Sequence, residues 1–579
     1  LKMLRQLIII GVTLLSGSDF VSSHLEITDR EANPYDHLLW PKVATVDLDS
    51  SMYFDVTPTQ LSTSGEWVTV YWSGVSSPSS KDSIAVYSPP ASNGYGVNTS
   101  TAPIKYQYAS SSSTHTSYGS GQLKFRLINM REKVVFGFFQ GSSLKAVSSV
   151  VEFSNYNEPL QGHLALTSDT TSMTVMWTTK EALSPTVMWG TESNNYEASA
   201  SAETKTYSAK NMCGAPATGY GYRDPGLLHT ATMTDLEPGY TYYYSFGDEY
   251  GYSPEYSFKA PPAADSDSTI TVVAFGDMGV AESDGSYLVE TSKYSLNTTS
   301  RIKAQLSSLD IVLHIGDITY ALGYSSMWEV YFDQIQQIAT SVPFMVAIGN
   351  HERNWPYTSP GTFNNSGSGG ECGIPHEMRF PMPTPARDSP WYSFNYGSAH
   401  FIVMSTEHSF QKGSSQYSYI YSDLKSVNKT NTPWIIFAGH RPMYVASKDS
   451  DYPDGHTVVA QSLRYALEPL FQSYGVDLAL WAHIHGYQRT CSVYQGSCYS
   501  SGSSSSKNKG TTHVVVGMAG RTLHNNILPS SMPSWLVYYD LQNYGYSRMN
   551  INMTHLVFQY VHNYDNKVYD SFVLKKNTT

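Results

Sequence analysis

Six short apolar runs, separated by longer amphipathic segments, constrain this chain more than any other feature. They cover residues 270–275, 311–315, 344–348, 401–404, 434–438 and 476–481. Between them, 300–309, 327–338 and 461–473 show roughly helical spacing. Strands alternating with helices predict an α/β layered domain whose strands are buried on both faces. In such sheets reactive groups collect beyond the carboxyl ends of the strands. Five of the six runs end there in candidate ligands. The endings are Gly276-Asp277-Met278-Gly279, Gly316-Asp317-Ile318-Thr319-Tyr320, Gly349-Asn350-His351-Glu352, Gly439-His440 and Ala482-His483-Ile484-His485.

One Asp after a strand is usually a helix cap or a turn residue, and one His there is usually a hydrogen-bonded structural group. Five such endings converging at one end of one sheet exceed what caps explain. Oxygen from Asp, Asn and Tyr beside imidazole nitrogen suits iron, zinc or manganese rather than a thiolate site. Seven candidates are too many for one ion with an open position, but suit two ions sharing a carboxylate. His483 and His485 stand at i and i+2, so an extended backbone projects them to the same side. Glycines before Asp277, Asp317 and Asn350 let turning backbone approach the ions.

The text upstream is different. Residues 24–158 read as short strands, such as 67–72, 122–127 and 134–139, broken by Ser, Gly and Pro, which predicts a β-sandwich. A second sandwich is expected over 159–264, carrying Thr174-Val-Met-Trp177 and Val187-Met-Trp189. Its Leu236-Glu-Pro-Gly-Tyr-Thr-Tyr-Tyr-Tyr244 resembles the late-strand signature of fibronectin type III-like sandwiches. A Pro- and Ala-rich linker, 260–264, leads into the layered domain, expected over 265–500. After the low-complexity loop 501–509, residues 510–579 form the strand-rich C-terminal part of that domain.

Charged residues make up 15% of the 579, with a formal net charge of −12. No basic excess is present to hold a phosphate backbone, which excludes a nucleic-acid scaffold. The 45 Tyr and 21 Phe argue against a disordered chain. Lys2 and Arg5 precede the apolar run 7–15, and small polar residues follow from Ser16. That order predicts a secretory signal peptide over 1–23. No later stretch reaches about 18 apolar residues, so no membrane anchor is expected. Sequons at Asn98, Asn297, Asn364, Asn428, Asn552 and Asn577 fit export and glycosylation. Cys491 and Cys498 are close enough to close one small loop, leaving Cys213 for Cys372. Four cysteines allow three connectivities, and the rival Cys₄ zinc site has no Cys-x-x-Cys spacing behind it.

In order and spacing the candidate ligands resemble those of the calcineurin-like metallophosphoesterases, and among them the purple acid phosphatases. Gly279 stands where many metallophosphoesterases carry the His of Asp-x-His, and Tyr320 stands where purple acid phosphatases gain a Tyr. The resemblance implies a layered αββα domain with Asp277, Tyr320 and His485 on Fe(3+). It places Asn350, His440 and His483 on a divalent ion, Zn(2+), Mn(2+) or Fe(2+), with Asp317 bridging both. Thr101-Ala-Pro-Ile-Lys-Tyr-Gln-Tyr108, Cys213-Gly-Ala-Pro-Ala217, Asn350-His-Glu-Arg353, Gly369-Gly-Glu-Cys-Gly373 and Val568-Tyr-Asp-Ser-Phe572 look like the larger plant-type branch. Members of that branch are linked to nucleotide pyrophosphatase/phosphodiesterase as well as phosphatase activity. Two departures stand out. Ala482 replaces a Gly before the first His of Gly-His-x-His. Lys448-Asp449-Ser450-Asp451 occupies the region where some plant relatives carry a substrate-contacting His pair, with only His456 nearby.

His351 is the candidate catalytic group, being next to Asn350. Arg353 and Arg441 offer fork-shaped donors to phosphate, although an Arg beside a charged cluster is often only an ion-pair partner. Asn350, His351, Arg353, Arg441 and His456 make up the expected substrate-binding set. The resemblance implies a secreted acid phosphatase acting on phosphate monoesters, nucleotide anhydrides and phosphodiesters through hydroxide supplied by two metals. Its partners are phosphorylated small molecules, with no membrane span, and a homodimer is admitted. The alternative is a catalytically weak extracellular binding or wall-associated module on the same fold. No Gly-x-Ser-x-Gly elbow supports a serine hydrolase.

Overall fold

The computed structural model describes residues 45–91, 96–98, 100–264, 266, 268–356, 366–447, 456–499, 510–524, 530 and 532–576. The expected signal segment 1–23, the sequons at Asn364 and Asn577, the 448–451 stretch and the 501–509 loop lie outside the described residues. Among the described residues no helix is long and apolar enough to cross a membrane.

Period-two alternation builds the first unit. Phe54, Val56, Val68, Val70 and Trp72 point inward from strands Tyr53–Thr57 and Glu66–Ser73 while their neighbours face out. These strands pair with Gly121–Leu127 in a three-stranded antiparallel sheet. A five-stranded sheet packs against it, with Phe138 meeting Phe54 and Trp72 at ring separations of 5.8 and 6.0 Å. Lys105–Tyr108 is an edge strand of that second sheet. In the next unit, a four- and a five-stranded sheet run from Leu160–Leu166 to Tyr256–Lys259, and Trp177 stacks on Phe246 at 5.1 Å.

The layered domain has two mixed sheets. Strands β1 (Ile270–Phe275), β2 (Ile311–Ile315) and β3 (Phe344–Ala347) run parallel. Three tail strands, starting with Gly545–Ile551, extend that sheet antiparallel from β1. β4 (Ala399–Val403), β5 (Trp434–Ala438), β6 (Leu478–Trp481) and β7 (Thr511–Val516) form the parallel centre of the other sheet. These strands are buried almost throughout, which is why they read as unbroken apolar runs. The ligand-bearing ends therefore come from two sheets, not from the one sheet expected. An apolar run buried on both faces carries no mark of which sheet it will join.

Helices α1 (Ser295–Lys303), α2 (Ser326–Ala339) and α3 (His456–Tyr474) fill the crossovers. The expected 300–309 helix instead ends at Lys303 and continues as a 3₁₀ turn, Leu306–Ser308. There the chain must turn to enter β2: Asp310 N–H donates to Thr271 O at 2.9 Å, and its carboxylate accepts from Thr271 N at 2.7 Å. Both expected disulfides are formed. Cys213–Cys372 staples the second sandwich to the layered domain, and Cys491–Cys498 closes a hairpin.

Candidate metal centre

Asp277, Asp317, Tyr320 and His483 all adopt positive φ, at 56°, 48°, 52° and 68°. That region is uncommon for residues with a Cβ, and clusters of it mark backbone held by its surroundings at functional sites. Each of these turns follows a strand end. Together they gather Asp277, Asp317, Tyr320, Asn350, His440, His483 and His485 into one buried cluster.

Two groups of ligands can be distinguished around Asp317. In the first, the Tyr320 hydroxyl lies 3.0 Å from Asp277 Oδ1 and 2.9 Å from His485 Nε2. His485 Nδ1 donates to Thr522 O at 2.7 Å, so Nε2 faces the cluster as a lone pair. In the second, His440 Nδ1 donates to Ile315 O at 3.0 Å. Its Nε2 meets Asn350 Oδ1 at 3.1 Å, Asp317 Oδ2 at 3.2 Å and His483 Nδ1 at 3.3 Å. Asp317, His440 and His483 bring ligand atoms within 4.8 Å of one another. Acceptors thus converge with too few protons to join them, and backbone carbonyls fix the ring orientations as in metal sites. The donor set fits two cations.

Electrostatics agree with that fit. Burial pushes the Asp277 carboxyl up to about 7, with Asp317 adding to the push. Burial opposes a charged His440, but Asp317 and Asp277 outweigh it and raise the ring to about 10, so without a cation a proton substitutes for one. For Asp317, burial is outweighed by His440 and His351, which hold the carboxyl well below its usual range. Burial, then Arg441 and His440, keeps His483 neutral, and burial, then His524 and Arg521, does the same for His485. Burial and the two aspartates hold the Tyr320 phenol well above its ordinary range, so a phenolate here needs a cation beside it.

Sequence profiles match along the chain in four stretches. They are an Fn3-like domain from purple acid phosphatase over residues 54–155, and the purple acid phosphatase N-terminal domain over 159–260. A calcineurin-like phosphoesterase follows over 270–487, then an iron/zinc purple acid phosphatase-like C-terminal region over 510–571. The Arabidopsis thaliana protein named "Probable inactive purple acid phosphatase 1" is 38% identical, over 99% of this chain and 97% of its own length. This chain belongs to the purple acid phosphatase family. A Hordeum vulgare protein named "Nucleotide pyrophosphatase/phosphodiesterase" is 39% identical over 56% of this chain and 87% of its own. The solved structure of purple acid phosphatase PPD1 from yellow lupin (Lupinus luteus) seeds aligns with a TM-score of 0.83 at 36% identity, covering 91% of this chain and 96% of that one. The fibronectin-like description falls on the first sandwich, whereas the signature noted in the sequence lies in the second.

Several residues that sequence reasoning left without a role support this phosphatase-family centre. The Glu352 carboxylate accepts from Asp317 N at 2.9 Å, Ile318 N at 2.8 Å and Gly349 N at 2.9 Å, tying two ligand loops together. The His524 ring stacks on His485 at 4.0 Å, and its Nδ1 accepts from His485 N at 3.2 Å. Lys105, from the first sandwich, reaches the loop that follows Asp277. Its buried ammonium meets Asp284 at 2.8 Å and Glu282 at 3.1 Å, while Gln107 donates to Ser286 Oγ at 3.1 Å. The plant-branch motif at 101–108 is therefore a brace under a ligand loop. Ala482 is accommodated: its methyl faces the hydrogen-only Gly276, where an added Cβ would lie 2.4 Å away, and its own φ is not positive.

The expected substrate residues fall in different surroundings. His351 Nδ1 donates to Gly367 O at 3.0 Å, which leaves Nε2 3.9 Å from Asp317 Oδ2. His456, at the start of α3, stands ring-to-ring 5.2 Å from His483, and burial first, then His524, lowers it to about 3. Arg441 binds Glu407 at 2.9 Å, and its Nη1 stands 3.4 Å from Nε2 of the candidate ligand His483, so its guanidinium packs against the cluster. Arg353 is buried and turned to Asp388 at 3.2 Å and His408 at 3.3 Å. Among the described sequons, Asn297 and Asn428 are exposed, while Asn98 and Asn552 are half-buried.

Proposed function

We propose that this protein is an active, secreted acid phosphatase that hydrolyses phosphate monoesters, nucleotide anhydrides and phosphodiesters. The observation that carries the reading is the complete seven-residue cluster of lone pairs and carboxylates around Asp317. Asp277, Tyr320 and His485 would hold Fe(3+), Asn350, His440 and His483 a divalent Zn(2+), Mn(2+) or Fe(2+), and Asp317 both. Such a pair supplies activated water and Lewis-acid polarisation of a phosphoryl oxygen. The chain's own part is positional. Asp317 and Glu352 fix the spacing of the two ligand groups. His351 presents Nε2 to the phosphoryl group from a ring held by Gly367 O, and Arg441 keeps His483 oriented. His456 and Asn350 complete the substrate contacts, and Arg353 supports their turn through Asp388 and His408. The signal segment and the exposed sequons at Asn297 and Asn428 support an extracellular, glycosylated protein.

A catalytically weak module on the same fold is the second reading, favoured by the names of the Arabidopsis relatives. Metal analysis coupled to parallel assays on ATP, a dinucleotide, bis-aryl phosphate and glycerol phosphate separates the two. The expected result is two metals per chain, with kcat/KM for the nucleotide anhydride or aryl diester at least equal to that for glycerol phosphate. A preference of about tenfold for glycerol phosphate, about 1.4 kcal/mol in transition-state binding, would remove the diesterase claim. Full metal loading with no hydrolysis would establish the second reading.

A further inference from the structure

His351 is aimed by a loop that lies apart from its own turn, Asn350–Arg353. Its Nδ1 donates to Gly367 O at 3.0 Å, and its ring lies 4.5 Å from the Tyr320 ring. Ring packing alone accepts an imidazole in either orientation, because the two nitrogens share one flat outline. The carbonyl decides, since it fixes Nδ1 as the donor and so turns Nε2 toward Asp317 Oδ2, 3.9 Å away. Whatever holds Gly367 therefore aims His351. Gly367 precedes Ser368, whose N and Oγ both donate to Asn354 O, at 3.0 and 2.8 Å. The same Oγ accepts from Cys372 N at 3.2 Å. Cys372 in turn is bonded to Cys213 of the second sandwich, 159 residues earlier.

The layered domain supplies the two ends of this loop, through Asn354 O at Ser368 and through Glu352 O, which accepts from Gly373 N at 2.7 Å. The middle is held from the second sandwich. Besides the disulfide, Cys213 N donates to Gly370 O at 2.8 Å and Ala217 N to Gly369 O at 3.3 Å. The segments meet backbone to backbone: a Cβ on Gly370 would lie 2.2 Å from Gly214 O, and one on Gly214 would lie 1.9 Å from the Trp355 ring. No side chain fits between them, so the turn of the second sandwich presses on both the loop and the segment that follows the His351 turn. We propose that the second sandwich serves the chemistry, with Cys213, Cys372 and Ser368 acting as positioning residues that aim His351 at the phosphoryl group. A staple needed only for stability could join the two units wherever they touch. This one ends on the loop that receives the His351 proton. The proposal rests on the role given to His351 above and adds what holds it in place.

The test is a mutant cycle on the full-length, metal-loaded protein. Cys213→Ser/Cys372→Ser should keep two metals per chain and slow turnover of an aryl phosphate by about threefold to tenfold, the usual weight of one hydrogen bond. In the His351→Ala background the same pair of changes should cost nothing more, because the group they aim is gone. Ser368→Ala, which leaves the disulfide in place, should repeat both results and covers the case in which the cysteine variant misfolds. An equal loss in the two backgrounds would make the staple purely structural and overturn the proposal, as would an unchanged rate with His351 present. If the protein hydrolyses no ester, the hydrolase reading falls alone, and the cycle is read on calorimetric binding of orthophosphate. Crystal structures of wild type and Ser368→Ala then read the ring directly: His351 should leave Gly367 O in the variant, and a ring seated there in both would overturn the proposal.

Discussion

The two ligand groups around Asp317 are braced in different ways. The Asn350, His440 and His483 group is held from within the layered domain, by Ile315 O, by Glu352 and by the Arg441–Glu407 pair. The Asp277, Tyr320 and His485 group depends on segments far away in sequence. Thr522 O holds His485, the Arg521 guanidinium lies 5.0 Å over the Tyr320 ring, and Lys105 of the first sandwich holds the loop after Asp277. Half of the centre is thus braced from within the layered domain's own sheets, and the other half draws its braces from the tail and the first sandwich. The first sandwich acts as a structural member of the site as well as an appended module.

Asp317→Asn should erase the comparison altogether, because one carboxylate serves both groups. Both ions should be lost, and hydrolysis should fall by about 10³-fold or more, checked by metal analysis and turnover. Lys105→Met should separate the groups. It strands Glu282 and Asp284 in a buried site, and removing one partner of a buried ion pair costs about 3–5 kcal/mol. Thermal unfolding should show the loss, and dialysis against a chelator should strip the Asp277-side ion first; equal retention of both ions would mean that the brace does not reach the ligands. His483→Ala should give the converse, with metal content falling from two to one and the ion on the Asp277 side retained.

A smaller effect concerns the second sandwich, which holds no ligand. Burial lowers His163 to about 4. Its folded value lies below the unfolded one, so the unfolded chain takes up protons first. The stability from keeping it neutral is whole above about pH 6.5 and is lost as pH falls toward about 4. That amounts to about 2 kcal/mol between pH 7 and pH 5. Unfolding measured at both pH values should show it, and His163→Gln should flatten the difference. An unchanged slope in that variant would assign the acid sensitivity elsewhere.

What could be read from the sequence follows the range of each interaction. All seven candidate ligands were legible because each sits within five residues of a strand end and announces itself as a short motif. Glu352 stood inside a recognised motif yet had no role, because its partners Asp317 and Ile318 lie 35 and 34 residues away. The Lys105 brace spans 179 residues to Asp284, and His524 joins His485 across 39, so no local spacing could reveal either. Arg353 looked like a phosphate grip from its place beside Asn350. Its partners, Asp388 and His408, became visible only once the chain was folded.

The central claim is that two chemically different cations share Asp317, with the Tyr320 phenol on one of them. The most direct measurement is metal analysis with a visible absorption spectrum of the purified protein and of Tyr320→Phe. The account predicts two metals per chain and a coloured protein, the colour arising from phenolate-to-iron charge transfer. Tyr320→Phe should keep both metals and lose the band. A colourless wild-type protein that carries two zinc ions and is fully active would contradict it.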